Sequence, residues 1–176
     1  MVSLTGAHLA LQGRRPNELM RRYFAFSALA IETFVMQELN RRVPRVLDVG
    51  NCVPDHGQIS ALLKQHFDAE TDVAHTLEQA LERLASDNFD LVLVNRKLDH
   101  DYSDGIEVIK RMKQDPLLAQ VPVMLVTNYA EHQAAAVAVG ALLGFGKLEL
   151  ASPATHARLQ AVLAPTATET RQPPCR

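Results

Sequence analysis

The sequence is poor in the residues that stabilise secreted or metal-bound domains, and it contains no tryptophan. Its only two cysteines, Cys52 and Cys175, lie in unlike surroundings, which argues against both a disulfide framework and a zinc-binding motif. Excess charge is also lacking, because 18 basic and 20 acidic residues leave a formal net charge of -2. Such a chain offers no broad electrostatic field to nucleic acid or to anionic lipid. We therefore expect a cytoplasmic protein that binds neither nucleic acid nor membranes.

No hydrophobic run is long enough to cross a bilayer. The most apolar stretch, residues 23–31, falls far short of the ~20 residues that a transmembrane helix needs. Arg21 and Arg22 before it, with small residues at 27–30, also resemble parts of a secretory signal. We prefer an amphipathic helix, because the apolar residues recur at helical spacing. These residues are Leu19, Tyr23, Phe26, Ala30 and Phe34.

Motifs that bind nucleotides or activate a nucleophile are absent from the sequence. It has no Gly-x-Gly-x-x-Gly fingerprint, P-loop or nucleophile elbow. None of its seven histidines pairs with another at metal-ligand spacing on a predicted element. We therefore expect no metal site, no cofactor and no enzymatic activity.

The residue patterns divide the chain into three segments. An N-terminal extension carries the predicted helix over residues 17–39, whose apolar stripe has to be covered. That requirement leaves open packing on the domain, docking of a partner, or a homodimer through residues 17–39. A second methionine, Met36, leaves open whether residues 1–35 belong to the expressed protein. The segments are 1–43 for the extension, 44–164 for the folded domain and 165–176 for a predicted disordered tail.

Within the middle segment, short apolar runs alternate with helical stripes. The runs predict five strands, and the stripes predict a helix after each strand. Parallel strands need crossover helices, so the alternation predicts a doubly wound α/β fold with a parallel sheet. The predicted strands are 45–49, 71–74, 90–95, 121–127 and 142–145. The predicted helices are 57–67, a helix opened by a capping box at 76–79, a helix opened at 104–105, then 131–139 and 153–163.

In such sheets, ligands and chemistry collect at the carboxyl ends of the strands. The residues that follow the predicted strands are therefore the candidates for a functional site. They are Gly50 and Asn51, then Asn95, Arg96 and Lys97, then Thr127 and Asn128, and finally Gly146 and Lys147.

These positions carry a family resemblance. Over residues 45–163 the sequence resembles the receiver domain of bacterial response regulators. The resemblance implies a flavodoxin-like five-stranded sheet in the order 2-1-3-4-5. It also implies an acidic pair that binds Mg²⁺ after the first strand, a phosphoryl-acceptor aspartate after the third, a Thr or Ser after the fourth, and Lys-Pro after the fifth.

The sequence keeps half of this motif. Thr127 and Lys147 match the family, but the residue after the lysine is Leu148 instead of proline. Gly50 and Asn51 occupy the positions of the acidic pair, and Asn95 occupies that of the acceptor. Phosphoryl transfer to the protein needs a carboxylate nucleophile and hard oxygen ligands for Mg²⁺, which these residues lack.

We therefore predict a degenerate receiver, or pseudo-receiver. Its expected role is that of a stand-alone protein interaction module in bacterial signal transduction, independent of phosphorylation. The resemblance implies a histidine kinase or another signalling protein as the partner.

Two alternatives remain open. The first is a functional phosphorelay receiver that uses another aspartate. The candidates are Asp48, Asp55, Asp99, Asp101 and Asp104. Of these we expect Asp55 and Asp104 to cap helices, and Asp99 and Asp101 to be solvated loop charges. Asp48, in a central strand, needs a partner, which Lys147 or a neighbouring loop could supply; a pair with Lys147 is our hypothesis. The second is a flavodoxin-like domain that binds a small anionic ligand near Arg96, Lys97 and Lys147.

The last strand also departs from the family. Receivers signal through the fourth helix, fifth strand and fifth helix, where an aromatic residue of the fifth strand responds to the Thr or Ser. Here Gly144 holds the aromatic position and Phe145 is displaced by one residue onto the opposite face. The apolar segment 134–143 is a candidate partner surface if part of it is exposed.

Overall fold

Five parallel strands form one sheet in the part of the chain that the computed structural model describes, residues 42–164. The strands are β1 (Arg45–Val49), β2 (Glu70–Ala74), β3 (Leu91–Asn95), β4 (Val123–Val126) and β5 (Leu142–Phe145). Their order across the sheet is β2-β1-β3-β4-β5. This confirms the flavodoxin-like architecture predicted from the sequence.

A helix follows each strand of the sheet. The helices are α1 (Val53–Phe67), α2 (Leu77–Ser86), α3 (Gly105–Gln114), α4 (Ala130–Ala138) and α5 (Pro153–Leu163). A single 3-10 turn, Lys147–Glu149, lies between β5 and α5. The helix predicted over residues 17–39 and the tail predicted over residues 165–176 lie outside the described residues.

Each face of the sheet carries its own apolar layer, because successive side chains of a strand point to opposite faces. One layer joins Leu47, Val92 and Leu125 of the sheet to Ile109 of α3 and Ala136 of α4. The other joins sheet residues such as Val46, Leu93 and Phe145 to α1 and α5. The central strands are buried on both sides, which explains why β3 reads as an unbroken apolar run.

The ends of several elements differ from the predicted ones. α1 begins at Val53 rather than at Gly57, because Pro54 fits the first turn of a helix, and Gly57 lies inside the helix. The N-cap is Cys52, so the prediction that Asp55 caps this helix is wrong. β4 spans four residues instead of the seven predicted over 121–127.

Side-chain caps are present at the starts of α2 and α5. The hydroxyl of Thr76 accepts the N–H of Gln79 at 3.2 Å, and the hydroxyl of Ser152 accepts the N–H of Thr155 at 3.1 Å. In a standard capping box, the side chain of Gln79 would accept the N–H of Thr76. Here the side-chain oxygen of Gln79 accepts the N–H of His75 instead. Across residues 42–164, none of the helices is both long and apolar enough to pass through a bilayer.

Candidate functional site

The sheet brings the predicted strand-end residues together around one cleft. The cleft has a volume of about 240 Å³ and lies at the carboxyl ends of β3, β4 and β5. The predicted residues that line it are Asn95, Arg96, Lys97, Thr127, Asn128 and Lys147. Gly50 and Asn51, at the end of β1, do not line it, although Gly50 is hydrogen-bonded to Asn95.

The side chain of Asn95 is tied to the backbone on two sides. Its amide nitrogen donates to the carbonyl oxygen of Gly50 at 2.9 Å and to that of Lys97 at 2.6 Å. A carboxylate in this orientation would set its oxygen against two carbonyl oxygens, because a carboxylate only accepts hydrogen bonds. The amide therefore links the end of β1 to the loop after β3 without any charge.

Gly50 cannot carry a side chain in this backbone conformation. Its φ of 71° lies in the left-handed region. A Cβ added there would stand 2.3 Å from Cδ2 of Leu98 and 2.7 Å from its Cα. Leu98 is fully buried, so it has no room to move aside.

Asp48 is buried completely in β1, and its partners come from the loop after β1, which was one of the two predicted sources, and from α1. The amide nitrogen of Asn51 donates to Asp48 Oδ1 at 2.6 Å, and His56 Nδ1 lies 2.7 Å from Asp48 Oδ2. The predicted pair between Asp48 and Lys147 is wrong. Lys147 Nζ instead contacts Asp55 Oδ2 at 2.5 Å, because the first turn of α1 carries Asp55 out to the edge of the sheet.

The two carboxyl groups have opposite electrostatic surroundings. Burial raises the pKa of Asp48, while the hydrogen bonds from Asn51 and His56 act against that rise. For Asp55, the hydrogen bond from Lys147 lowers the pKa below its ordinary value. Asp48 is thus held inside the domain by Asn51 and His56, whereas Asp55 pairs with Lys147 at a partly exposed position.

The other candidate aspartates each have a partner of their own. Asp99 Oδ2 lies 3.0 Å from His75 Nδ1, and Asp101 accepts from the hydroxyl of Ser103 at 2.7 Å. Asp104 stands at the N-cap position of α3, but its side chain does not cap the helix; it pairs with Lys97 at 2.8 Å. None of these carboxylates lines the cleft.

The residues at the ends of β1 and β3 do not fit the Mg²⁺ site that the family implies. Mg²⁺ is held by carboxylates and other hard oxygen ligands in near-octahedral geometry. Gly50 offers no side chain, and the amides of Asn51 and Asn95 turn their donor nitrogens toward protein oxygens. One buried oxygen, Asn51 Oδ1, has no hydrogen-bond partner among residues 42–164, but a single neutral oxygen does not make a Mg²⁺ site.

Comparison with protein families places this strand-end geometry in context. The model of the response regulator receiver domain matches residues 52–143, just over half of the chain. The chain belongs to the response regulator receiver family. Receiver domains of this family act in two-component signalling and interact with signalling proteins such as kinases.

Solved structures show the same fold. The chemotaxis response regulator CheY4 of Vibrio cholerae is 21% identical with a TM-score of 0.55, covering 69% of this chain and 100% of that chain. A two-component response regulator from Clostridium difficile is 17% identical with a TM-score of 0.55, covering 71% and 99%. The signal receiver domain of a DNA binding response regulator from Colwellia psychrerythraea is 21% identical with a TM-score of 0.53, covering 60% and 86%. No curated protein matches the sequence.

In this receiver a bulge alters the position that the resemblance assigns to an aromatic residue. Met124 pairs with Leu142 and Val126 pairs with Phe145, so β5 has one more residue than β4 over this interval. Gly144 lies in the bulge, where an added Cβ would stand 2.0 Å from the carbonyl oxygen of Leu125. The predicted displacement of Phe145 agrees with this geometry, and Phe145 is buried.

A buried glutamine, Gln133, hydrogen-bonds to backbone groups of both strands beside the bulge. Its amide nitrogen donates to the carbonyl oxygens of Leu125 at 3.0 Å and Thr127 at 3.2 Å. Its amide oxygen accepts the N–H of Gly144 at 3.0 Å. The sequence analysis missed this residue, although a glutamine in an Ala- and Val-rich helix was a signal that one side chain of α4 has a polar partner.

Beside the bulge lies an apolar groove between α4 and β5. Its volume is about 730 Å³, and Val137, Leu143 and Leu148 line it and are exposed to solvent. Leu148, which stands where the family motif has proline, is 88% exposed. The polar side chains of Glu149 and Arg158 also line the groove. The groove overlaps the segment 134–143 that the sequence marked as a candidate partner surface.

Proposed function

We propose that this receiver is a pseudo-receiver: a cytoplasmic, non-enzymatic protein interaction module of bacterial two-component signalling that works without aspartyl phosphorylation. The observation that carries the proposal is the contact geometry of Asn95. At the acceptor position an amide, rather than a carboxylate, donates to the carbonyl oxygens of Gly50 and Lys97. An amide is neutral and is a poor nucleophile toward a phosphoryl donor.

The surroundings of Asn95 support the same proposal. The left-handed backbone and the contact with Leu98 leave no space for a carboxylate at Gly50. The buried carboxylate of Asp48 already engages the amide of Asn51. The three replaced positions therefore carry no charged side chain, and the remaining aspartates have other partners.

The groove between α4 and β5 is the surface that we propose for partner binding. Exposed apolar patches of monomers usually mark interaction sites. Val137, Leu143 and Leu148 supply the apolar contact area, and Arg158 at the margin donates to the carbonyl oxygen of Gly144 at 2.6 Å, which fixes its position. A histidine kinase or another signalling protein is the proposed partner.

Phosphorylation is tested by intact mass after incubation with acetyl phosphate and Mg²⁺. We expect the wild type to gain no phosphoryl group. We expect Asn95→Asp to gain none either, because a carboxylate alone does not supply the Mg²⁺ ligands missing at Gly50 and Asn51. A receiver domain that keeps the acidic pair and the aspartate serves as the positive control. A phosphoryl adduct on the wild type would contradict the proposal and would favour one of the other aspartates.

Partner binding is tested by comparing two leucines with the same exposure. Leu148 lies in the groove and Leu117 lies outside it, and both are 88% exposed. We expect Leu148→Glu to weaken capture of a binding protein from native cells by about tenfold, the size of effect expected for a residue at the centre of an interface. Leu117→Glu is expected to leave capture unchanged. Equal capture by both variants would exclude the groove as the binding surface.

A further inference from the structure

Two histidines that are far apart in the sequence meet between α1 and α5. His66 lies in the last turn of α1, and His156 lies near the start of α5. The centres of their imidazole rings are 4.4 Å apart, and the ring planes meet at 61°. Because each residue stands on a different helix, the spacing of histidines along the sequence could not reveal these two residues, which we call the histidine pair.

The histidine pair has a buried ring nitrogen that lacks a partner. Nε2 of His156 is shielded from solvent and forms no hydrogen bond within residues 42–164. Two other histidines are held by carboxylates instead, since Nδ1 of His56 lies 2.7 Å from Asp48 and Nδ1 of His75 lies 3.0 Å from Asp99. Burial of a ring nitrogen without a hydrogen bond costs free energy. A ligand that takes the lone pair of this nitrogen therefore stabilises the pair.

The spacing of the two rings suits a shared metal ion. Histidine nitrogen binds Zn²⁺ at about 2.0–2.1 Å, so the ring centres of two histidines on one ion lie about 4.5–5 Å apart. The observed distance of 4.4 Å is close to the lower end of that range. Reorientation of the rings, rather than movement of the helices, is therefore enough for both to reach one ion. His66 is exposed, which gives an ion access from solvent.

We infer that the histidine pair binds a divalent transition metal ion such as Zn²⁺, which links α1 to α5. Imidazole nitrogen suits Zn²⁺, Ni²⁺ and Cu²⁺, whereas Mg²⁺ takes oxygen ligands. Residues 42–164 contain no group of three His, Cys, Asp or Glu side chains arranged around one ion, so water completes the coordination. The affinity is thus expected to be lower than that of closed four-ligand sites. This inference departs from the absence of a metal site expected from the sequence, and it goes beyond the proposed function.

The experiment is a thermal unfolding titration of the full-length protein with Zn²⁺, and with Mg²⁺ for comparison. A ligand that binds only the folded state raises the melting temperature. We expect Zn²⁺ to raise that of the wild type and Mg²⁺ to leave it unchanged. His66→Ala is expected to weaken the apparent affinity for Zn²⁺ by about tenfold or more, because loss of a ligand costs at least as much as loss of an outer-shell partner. His132→Ala, which changes a histidine of α4 that contacts Tyr129, is the matched control and is expected to respond like the wild type. The exposed thiol of Cys52 is present in every variant, so binding of Zn²⁺ to it does not depend on position 66.

Nuclear magnetic resonance of the imidazole groups gives a second readout that does not depend on stability. We expect the ring signals of His66 and His156 to shift together as Zn²⁺ is added. A shift of His66 alone would show that an exposed histidine binds the ion by itself, which would overturn the shared site. An unchanged melting temperature of the wild type in Zn²⁺ would also overturn the inference, as would an equal response from His66→Ala. Each of these failures leaves the mass measurement on phosphorylation and the capture of a binding protein unaffected, so this inference and the proposed function fail separately.

Discussion

Gly50→Asp, which supplies one carboxylate of an acidic pair, is expected to destabilise the domain by about 3 kcal/mol. Two costs combine at this position. A side chain in the left-handed region costs about 1–2 kcal/mol, and overpacking a rigid core costs about 1–3 kcal/mol. The second cost applies because the added Cβ would approach the Cα of Leu98 to 2.7 Å, and a backbone atom cannot turn away as a side chain does.

Denaturant unfolding of two alanine variants separates these costs. Gly50→Ala and Gly140→Ala both place a side chain at positive φ, 71° and 98°. The Cβ added at Gly140 meets only the flexible side chain of Lys113, at 3.3 Å. We expect Gly140→Ala to cost about 1–2 kcal/mol and Gly50→Ala to cost clearly more. Equal losses would mean that the contact with Leu98 relaxes and that the steric part of the argument is wrong.

The same geometry explains why one substitution is not expected to rebuild a phosphorylation site. Asn95→Asp supplies a carboxylate nucleophile, but position 50 has no space for the second carboxylate that would bind Mg²⁺. Asn51→Asp would place a carboxylate oxygen toward Asp48 Oδ1, which now accepts from the Asn51 amide at 2.6 Å. Two carboxylates at that distance repel each other strongly in a buried site. Loss of the acidic pair is thus built into the local backbone and the core.

The strands could be predicted from the sequence because burial dictates their composition. β1 and β5 begin and end where the apolar runs do, and β3 differs by one residue. The start of α1 was harder to predict. The apolar stripe predicts a helix from Gly57 onward, whereas the structure shows that α1 begins four residues earlier, at Val53, and that Gly57 lies within it.

The partners of the polar residues could not be predicted to the same degree. The sequence showed that Asp48 needs a partner, but strand pairing alone did not reveal that α1 places His56 beside it. From the sequence, Lys147 could pair with either Asp48 or Asp55. The structure shows that Asp55, on the first turn of α1, is its partner. These choices depend on where the first turn of α1 lies relative to β1. A hydrophobic pattern does not encode that position.

Gly144→Ala is expected to destabilise the domain by more than about 3 kcal/mol, because overpacking against a fixed backbone oxygen forces β5 to move. The added Cβ would stand 2.0 Å from the carbonyl oxygen of Leu125 and 3.0 Å from Oε1 of Gln133. Moving β5 also removes the hydrogen bond between the Gly144 N–H and Gln133. The loss is measured by chemical denaturation, and Gly57→Ala is the matched control. Gly57 is an open position inside α1, where alanine is expected to stabilise the domain by about 0.5–1 kcal/mol.

A loss below about 1 kcal/mol for Gly144→Ala would show that the bulge adapts easily, since most tolerated changes fall near that size. It would then be possible for β5 to shift and carry a signal. A large loss supports the opposite view, in which Gln133 and Gly144 hold β4, β5 and α4 in one arrangement. The groove formed by Val137, Leu143 and Leu148 would then present the same surface at all times. Binding to such a surface would depend on the abundance of this protein or on the state of the partner. Such control is expected for a receiver that works without phosphorylation.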